Sequence, residues 1–195
     1  MNATIQKTEQ WVKKQLLNES TGHDWYHIDR VTKLANHIAQ AENGDRFIVT
    51  MAALLHDLAD DKVVEDEEQG ISKIKDWLSI NRVEQMKIEH ILDIIQTISF
   101  KGGLGKPVRS LEGKIVQDAD RLDALGAIGI ARTFVYAGSK GSPMYDPTLN
   151  VRENMTLEQY RHGKSSAIHH FYEKLLKLKD QMNTVTGKKA CRKKA

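Results

Sequence analysis

The chain reads as an all-α protein. Apolar residues recur at spacings of three and four, only three prolines occur in 195 residues, and no stretch alternates apolar and polar residues as a half-buried strand would. This length suits one domain with a substantial core, and 40% hydrophobic beside 28% charged residues is ordinary for a globular protein. No apolar run approaches the ~20 residues of a membrane span. The first residues, MNATIQKTEQWVKKQLL, lack the unbroken apolar stretch of a signal peptide.

Each expected helix carries its own apolar stripe. Residues 3–18 place Ile5, Val12 and Leu16 on one face, and residues 24–42 place Ile28, Val31, Leu34, Ala35 and Ile38 on another. Residues 45–59 carry Phe47, Ile48, Met51, Leu54, Leu55 and Leu58. An acidic connector, DDKVVEDEEQG, precedes a short helix near 71–80 with Ile71, Ile74 and Leu78. Residues 83–98 follow, with Met86, Ile91, Leu92, Ile94 and Ile95, and end in the glycine- and proline-bearing break SFKGGLGKPVRS. A long helical pattern resumes over 110–135. Its Ala119, Ala124, Gly126, Ala127, Gly129 and Ala131 form a small-residue surface that admits a close neighbour. Residues 136–155 read as an irregular loop, in which Pro143 and Tyr145 could form a lid; unstructured loops of this length tend to be functional or mobile. A last helix is expected from about Thr156 to Met182.

The end, GKKACRKKA, reads as a basic, solvated, disordered tail over 187–195, leaving one domain over 1–186. Much of the formal charge of +3 sits there, and no basic stripe with interleaved aromatics occurs elsewhere, so specific nucleic-acid binding is not expected. The lone cysteine, Cys191, can form no intrachain disulfide, which fits a reducing, cytoplasmic setting. Apolar helix faces leave a homodimer open.

The chemistry concentrates in a His56-Asp57 doublet inside the apolar run MAALLHDLADDK. His27, in GHDWYHIDRV, precedes Val31, Leu34 and Ile38 by four, seven and eleven residues, which puts it on an inward stripe. Asp120, in VQDADRLDALG, shares a face with Val116, Ala124 and Ala127. Burying uncompensated carboxylates at such positions costs several kcal/mol each, and a divalent cation removes that penalty. Taken singly, each residue has a plain structural explanation; together, on three helices, they make a mixed imidazole and carboxylate set that suits Mn, Fe, Co, Ni or Zn. Asp118 and Asp123 compete with Asp120 for the last position. Asp60 and Asp61 stand one helical turn beyond the doublet.

At these residues the chain resembles the HD-domain metal-dependent phosphohydrolase superfamily, whose pattern is a histidine, an HD doublet and an aspartate on separate helices. Its small single-domain bacterial branch is the more similar, through HDWYHIDRV, ALLHDLADDK, IIQTISFKGG and DADRLDALGAIGIAR, over residues from about 20 to 185. The resemblance implies an HD-domain helical bundle. It also implies one divalent metal (manganese first, with Mg, Co, Ni, Fe or Zn as alternatives) held by His27, His56, Asp57 and Asp120. The implied substrate is a nucleotide, foremost a (deoxy)nucleoside triphosphate cleaved with pyrophosphate release. HDLADD is also similar to the HDxxED of stringent-response hydrolases, so (p)ppGpp hydrolysis is an alternative, as are phosphodiester or phosphomonoester hydrolysis and a nucleotide-binding module without turnover.

Within that frame Asp60 or Asp61 accepts the proton of the attacking water or orients it. Cations must neutralise the transferring group. Arg30, one turn from His27, is a candidate, with Lys62, and with Lys101 and Lys106 around Gly102, Gly103 and Gly105. Arg161 and Lys164 are further candidates on the last helix, and His162, His169 and His170 read as surface or structural. His23, four before His27, is a substrate or second-metal candidate; His90, between Ile91 and the rest of an apolar helix, reads as a core histidine or a substrate contact.

Overall fold

The computed structural model describes residues 2–60, 66–100 and 103–194. The α-helices among them are α1 Asn2–Gln15, α2 Trp25–Glu42, α3 Arg46–Leu55, α4 Glu67–Ile80, α5 Gln85–Ile98, α6 Leu111–Asp123, α7 Gly126–Ser139, α8 Leu157–His162, α9 Ala167–Glu173 and α10 Val185–Lys194. Short 3₁₀ helices occupy His56–Ala59 and Leu175–Gln181. No strand occurs among the described residues, so the fold is all-α. None of their helices is long and apolar enough to cross a membrane.

The centre is α3, buried on all sides from Phe47 to Leu55. It is sheathed by α2, α5 and α6, whose apolar stripes (Ile28, Val31 and Ile38; Ile91 and Ile94; Ile115, Val116 and Leu122) close the core. Local chemistry starts these helices where the stripes begin. Asp24 accepts the His27 N–H ahead of α2, Asp45 accepts the Phe47 and Ile48 N–H groups ahead of α3, and Ser110 accepts the Gly113 N–H ahead of α6. Asn43, at φ 58, ends α2 in the left-handed conformation that asparagine tolerates. On one flank α1 meets α4 through Trp11 stacked on Trp77 at 4.4 Å, with the Trp77 Nε1–H donating to Thr8.

Several boundaries differ from the periodicity reading. The stripe over 45–59 leaves α-geometry after Leu55, so the His56-Asp57 doublet sits in a 3₁₀ turn and Asp60 is already extended. The i, i+4 relation expected between the doublet and the following acids is therefore absent for Asp60. The pattern over 110–135 is two helices, not one. The chain turns at Ala124 and Leu125, and Gly126 adopts φ +71 to start α7 in a new direction. The expected helix over 156–182 is α8, α9 and a 3₁₀ segment. Met86, expected in the core stripe of α5, is 82% exposed.

The loop over 140–156 is bonded to α9. The Ala167 and Ile168 N–H groups donate to the Pro143 and Met144 carbonyls, His169 Nε2 donates to the Leu149 carbonyl, and Arg152 pairs with buried Glu173. Tyr145 stacks on His169.

The basic end is helical as far as Lys194, where a disordered tail is expected over 187–195; Ala195 lies outside the described residues. α10 packs on α6 and α2, and Cys191 is buried. Its start is fixed from elsewhere. Buried Asp118 of α6 accepts the N–H groups of Asn183 (2.8 Å) and Thr184 (2.7 Å), the Asn183 side-chain amide and the Thr184 hydroxyl. A side chain at Gly187 would collide with the same carboxylate.

Candidate metal centre

Three separate segments converge on one point. The N-terminal cap by Asp24 begins α2 so that its first inward-facing turn carries His27, which is 1% exposed. The 3₁₀ turn after α3 brings in His56 and Asp57, both buried, and α6 contributes Asp120, whose side chain is one-third exposed to the cavity above. His27 Nε2 lies 3.2 Å from Asp57 Oδ2 and 3.6 Å from Asp120 Oδ1. His56 Nε2 lies 3.3 Å from Asp57 Oδ1 and 3.9 Å from Asp120 Oδ1. Donor atoms of His27, His56 and Asp57 lie within 4.8 Å of one another.

The far side of each ring is committed. His56 Nδ1 lies 2.8 Å from the Ala53 carbonyl, to which it can only donate, so in the neutral ring Nε2 carries the lone pair. His27 Nδ1 lies 2.8 Å from Asp123 Oδ2. Despite their closeness, His27 Nε2, His56 Nε2 and Asp57 Oδ2 are buried without a properly aligned hydrogen-bond partner. Buried polar atoms are rarely left so, and a single shared ion would satisfy all three. Two imidazole nitrogens and a carboxylate, with a second carboxylate at the edge, suit a divalent transition metal, so the cluster is able to hold one.

Electrostatics agree with the geometry. Burial opposes ionisation of Asp57, but His56 and His27 beside it hold its carboxyl well below the usual range, and the same rings lower Asp120. Burial also opposes protonation of His27; the hydrogen bond to Asp123 and the negative charge of nearby Asp57 outweigh it, so its pKa is raised in the metal-free protein. Asp123 is buried too, yet His27 and Arg30 hold its pKa far below the usual carboxylate value.

The cavity over the cluster places the remaining sequence candidates. His23 and Asp60 line it. Arg30 does not: its guanidinium lies on Asp123, with Nε 2.7 Å from Oδ1. His90 lies apart, its Nε2 3.6 Å from Glu112 Oε2. Lys106 lines a wider neighbouring groove that shares His56 and Asp60 with the cavity. Asp61, Lys62 and Lys101 fall outside the described residues, as does the Arg161 side chain. Sequence reasoning missed the cations that do line the cavity, Arg121, Arg132 and Lys174. Arg132 carried a signal, a lone charge within the apolar run GAIGIARTFVYAG. Lys174 carried none, being one of several lysines in EKLLKLKD.

The fold is an all-α bundle whose buried His27, His56 and Asp57, with Asp120 at the edge, form a cluster able to hold a metal. The chain belongs to the HD domain family, whose model matches residues 24–125. It is similar to the uncharacterized protein YpgQ of Bacillus subtilis, with 43% identity over 91% of this chain and 80% of that protein. The structure of YpgQ in complex with ADP matches with a TM-score of 0.75, covering 97% of this chain and 89% of that one at 38% identity. A Lactobacillus plantarum protein matches with a TM-score of 0.92 at 37% identity, over 100% of this chain and 91% of that one. An HD-superfamily hydrolase of Bacillus thuringiensis matches with a TM-score of 0.73 at 48% identity, over 99% and 89%.

Proposed function

We propose that this chain is a divalent-metal-dependent phosphohydrolase of nucleotides, acting foremost on (deoxy)nucleoside triphosphates with release of pyrophosphate. The convergence of three unpartnered buried donor atoms, His27 Nε2, His56 Nε2 and Asp57 Oδ2, carries the reading. His27, His56 and Asp57 would hold the ion and Asp120 would close the set from the cavity side; the donor mix suits Mn, Fe, Co, Ni or Zn, and Mn(II) is taken first on the family resemblance. Such an ion, when bound, supplies an acidified water and polarises a phosphoryl oxygen.

The chain's own residues supply the rest. Asp60, at the extended end of the 3₁₀ turn, is positioned on the cavity wall to orient a water or accept its proton. Arg132, Arg121 and Lys174 give the cavity lining the positive charge that a polyphosphate demands. Phe100 and Ile98 give the same cavity an apolar edge, and His23 adds a polar group held by Thr21. The ADP complex of YpgQ supports a nucleotide as the occupant.

The test is turnover by metal-stripped protein given Mn(II) and a panel of triphosphates, monophosphates, cyclic nucleotides and ppGpp, with pyrophosphate and phosphate measured separately. Pyrophosphate from triphosphates alone is the expected result. Release only from ppGpp or only from cyclic nucleotides would move the activity within the superfamily, and no release from any of them would leave a nucleotide-binding module.

A further inference from the structure

Asp123 ends α6 almost fully buried, at 2% exposure, yet it faces away from the centre of the metal cluster. Its two oxygens accept from three residues. Oδ2 lies 2.8 Å from His27 Nδ1, 3.0 Å from a terminal nitrogen of Arg30 and 3.1 Å from one of Arg132, and Oδ1 lies 2.7 Å from Arg30 Nε. Arg132 also donates through Nε to the Gly22 carbonyl, just ahead of α2. One carboxylate thus joins α2, α6 and α7 behind the ligand histidine.

The chemistry of that contact is directional. An ionised carboxylate only accepts hydrogen bonds, so the ring nitrogen facing it must carry a proton. In a neutral imidazole the proton then sits on Nδ1, and Nε2 is left with its lone pair aimed at Asp57 and Asp120. An asparagine here would bring an amide N–H against a site made of N–H donors, leave at least one of them unpaired, and remove the charge that balances two guanidinium groups.

We propose that Asp123 is the positioning residue of this metal centre: it fixes the tautomer and ring orientation of His27 and, through the same oxygen, holds Arg132 in the cavity wall. The proposal rests on the metal-binding reading above. It assigns Asp123 neither to the ion nor to the substrate.

The test measures Mn(II) binding in the absence of any nucleotide, by loss of the free-ion electron paramagnetic resonance signal. Wild type is compared with Asp123→Asn and with Asp118→Asn, a second buried carboxylate of α6 that touches no proposed ligand. The expected result is a 10–100-fold weaker Kd for Asp123→Asn, as removal of such outer partners typically produces. Asp118→Asn lowers the melting temperature but leaves the Kd of the folded protein within about twofold. A second readout needs no variant: ring-nitrogen NMR of the Zn(II)-loaded wild type should show the His27 proton on Nδ1. An unchanged Kd in Asp123→Asn, or a His27 proton on Nε2, overturns the proposal. A wild type that binds no Mn(II) removes it along with the metal reading, whereas absence of turnover with binding intact affects only the proposed activity.

Discussion

The stability supplied by the cation should grow as pH rises from about 6.5. In the metal-free protein His27 Nε2 points at Asp57 and Asp120, 3.2 and 3.6 Å away, and its pKa is raised because Asp123 and Asp57 outweigh the effect of burial. A raised histidine pKa stabilises the metal-free fold fully below the unfolded value, and this is lost as pH climbs through the raised value. The cation needs the same lone pair, so in this window each bound ion displaces one proton. One proton per ion is a tenfold change in Kd, or ~1.4 kcal/mol, per pH unit. For a chain of this length each kcal/mol moves Tm by roughly 2–4 °C, so the difference between Mn(II)-saturated and EDTA-treated protein should widen by roughly 3–6 °C per pH unit. Differential scanning calorimetry at fixed free Mn(II) reads this directly. A difference that stays flat across the window, or that widens towards acid, refutes the reasoning.

Three further outcomes follow from the same geometry. His56→Ala removes a proposed ligand and should abolish the Mn(II)-dependent rise in Tm together with turnover, while circular dichroism shows the helical fold intact. Arg132→Gln and Lys174→Ala should each raise KM for a triphosphate on the order of 10-fold, the scale of one charge-assisted hydrogen bond, with the Mn(II) Kd unchanged; a fall in kcat at constant KM would place them elsewhere. Asp118→Ala leaves the Asn183 and Thr184 donors unpaired and should cost about 2–4 kcal/mol, with faster hydrogen exchange in α10 than in α3 and turnover retained at low temperature.

The architecture was legible because the core helices bury one apolar stripe each, and a stripe such as Ile28, Val31, Ala35 and Ile38 is written in local spacing. Boundaries were less so where small residues blur the period. The run from Ala119 to Ala131 looks continuous, yet Gly126 takes a left-handed turn inside it. The end of the chain was hidden for a different reason. Its lysines dominate composition, and what orders α10 is Asp118, more than sixty residues earlier. No window of local sequence contains that partnership.

The three acids of α6 show where periodicity informs and where it stops. At ~100° per residue, Asp120 and Asp123 lie only ~60° apart on the helix, whereas Asp118 lies more than ~120° from either. Two carboxylates on one face can therefore bracket one imidazole, and they do: Asp120 Oδ1 stands 3.6 Å from His27 Nε2 and Asp123 Oδ2 stands 2.8 Å from Nδ1. Asp118 is left to face α10. Spacing alone separates Asp118 from the other two. It cannot rank Asp120 against Asp123, because that depends on which nitrogen of a ring on α2 each one meets. The choice is made by Arg30 and Arg132, which claim the Asp123 oxygens and leave Asp120 open to the cavity.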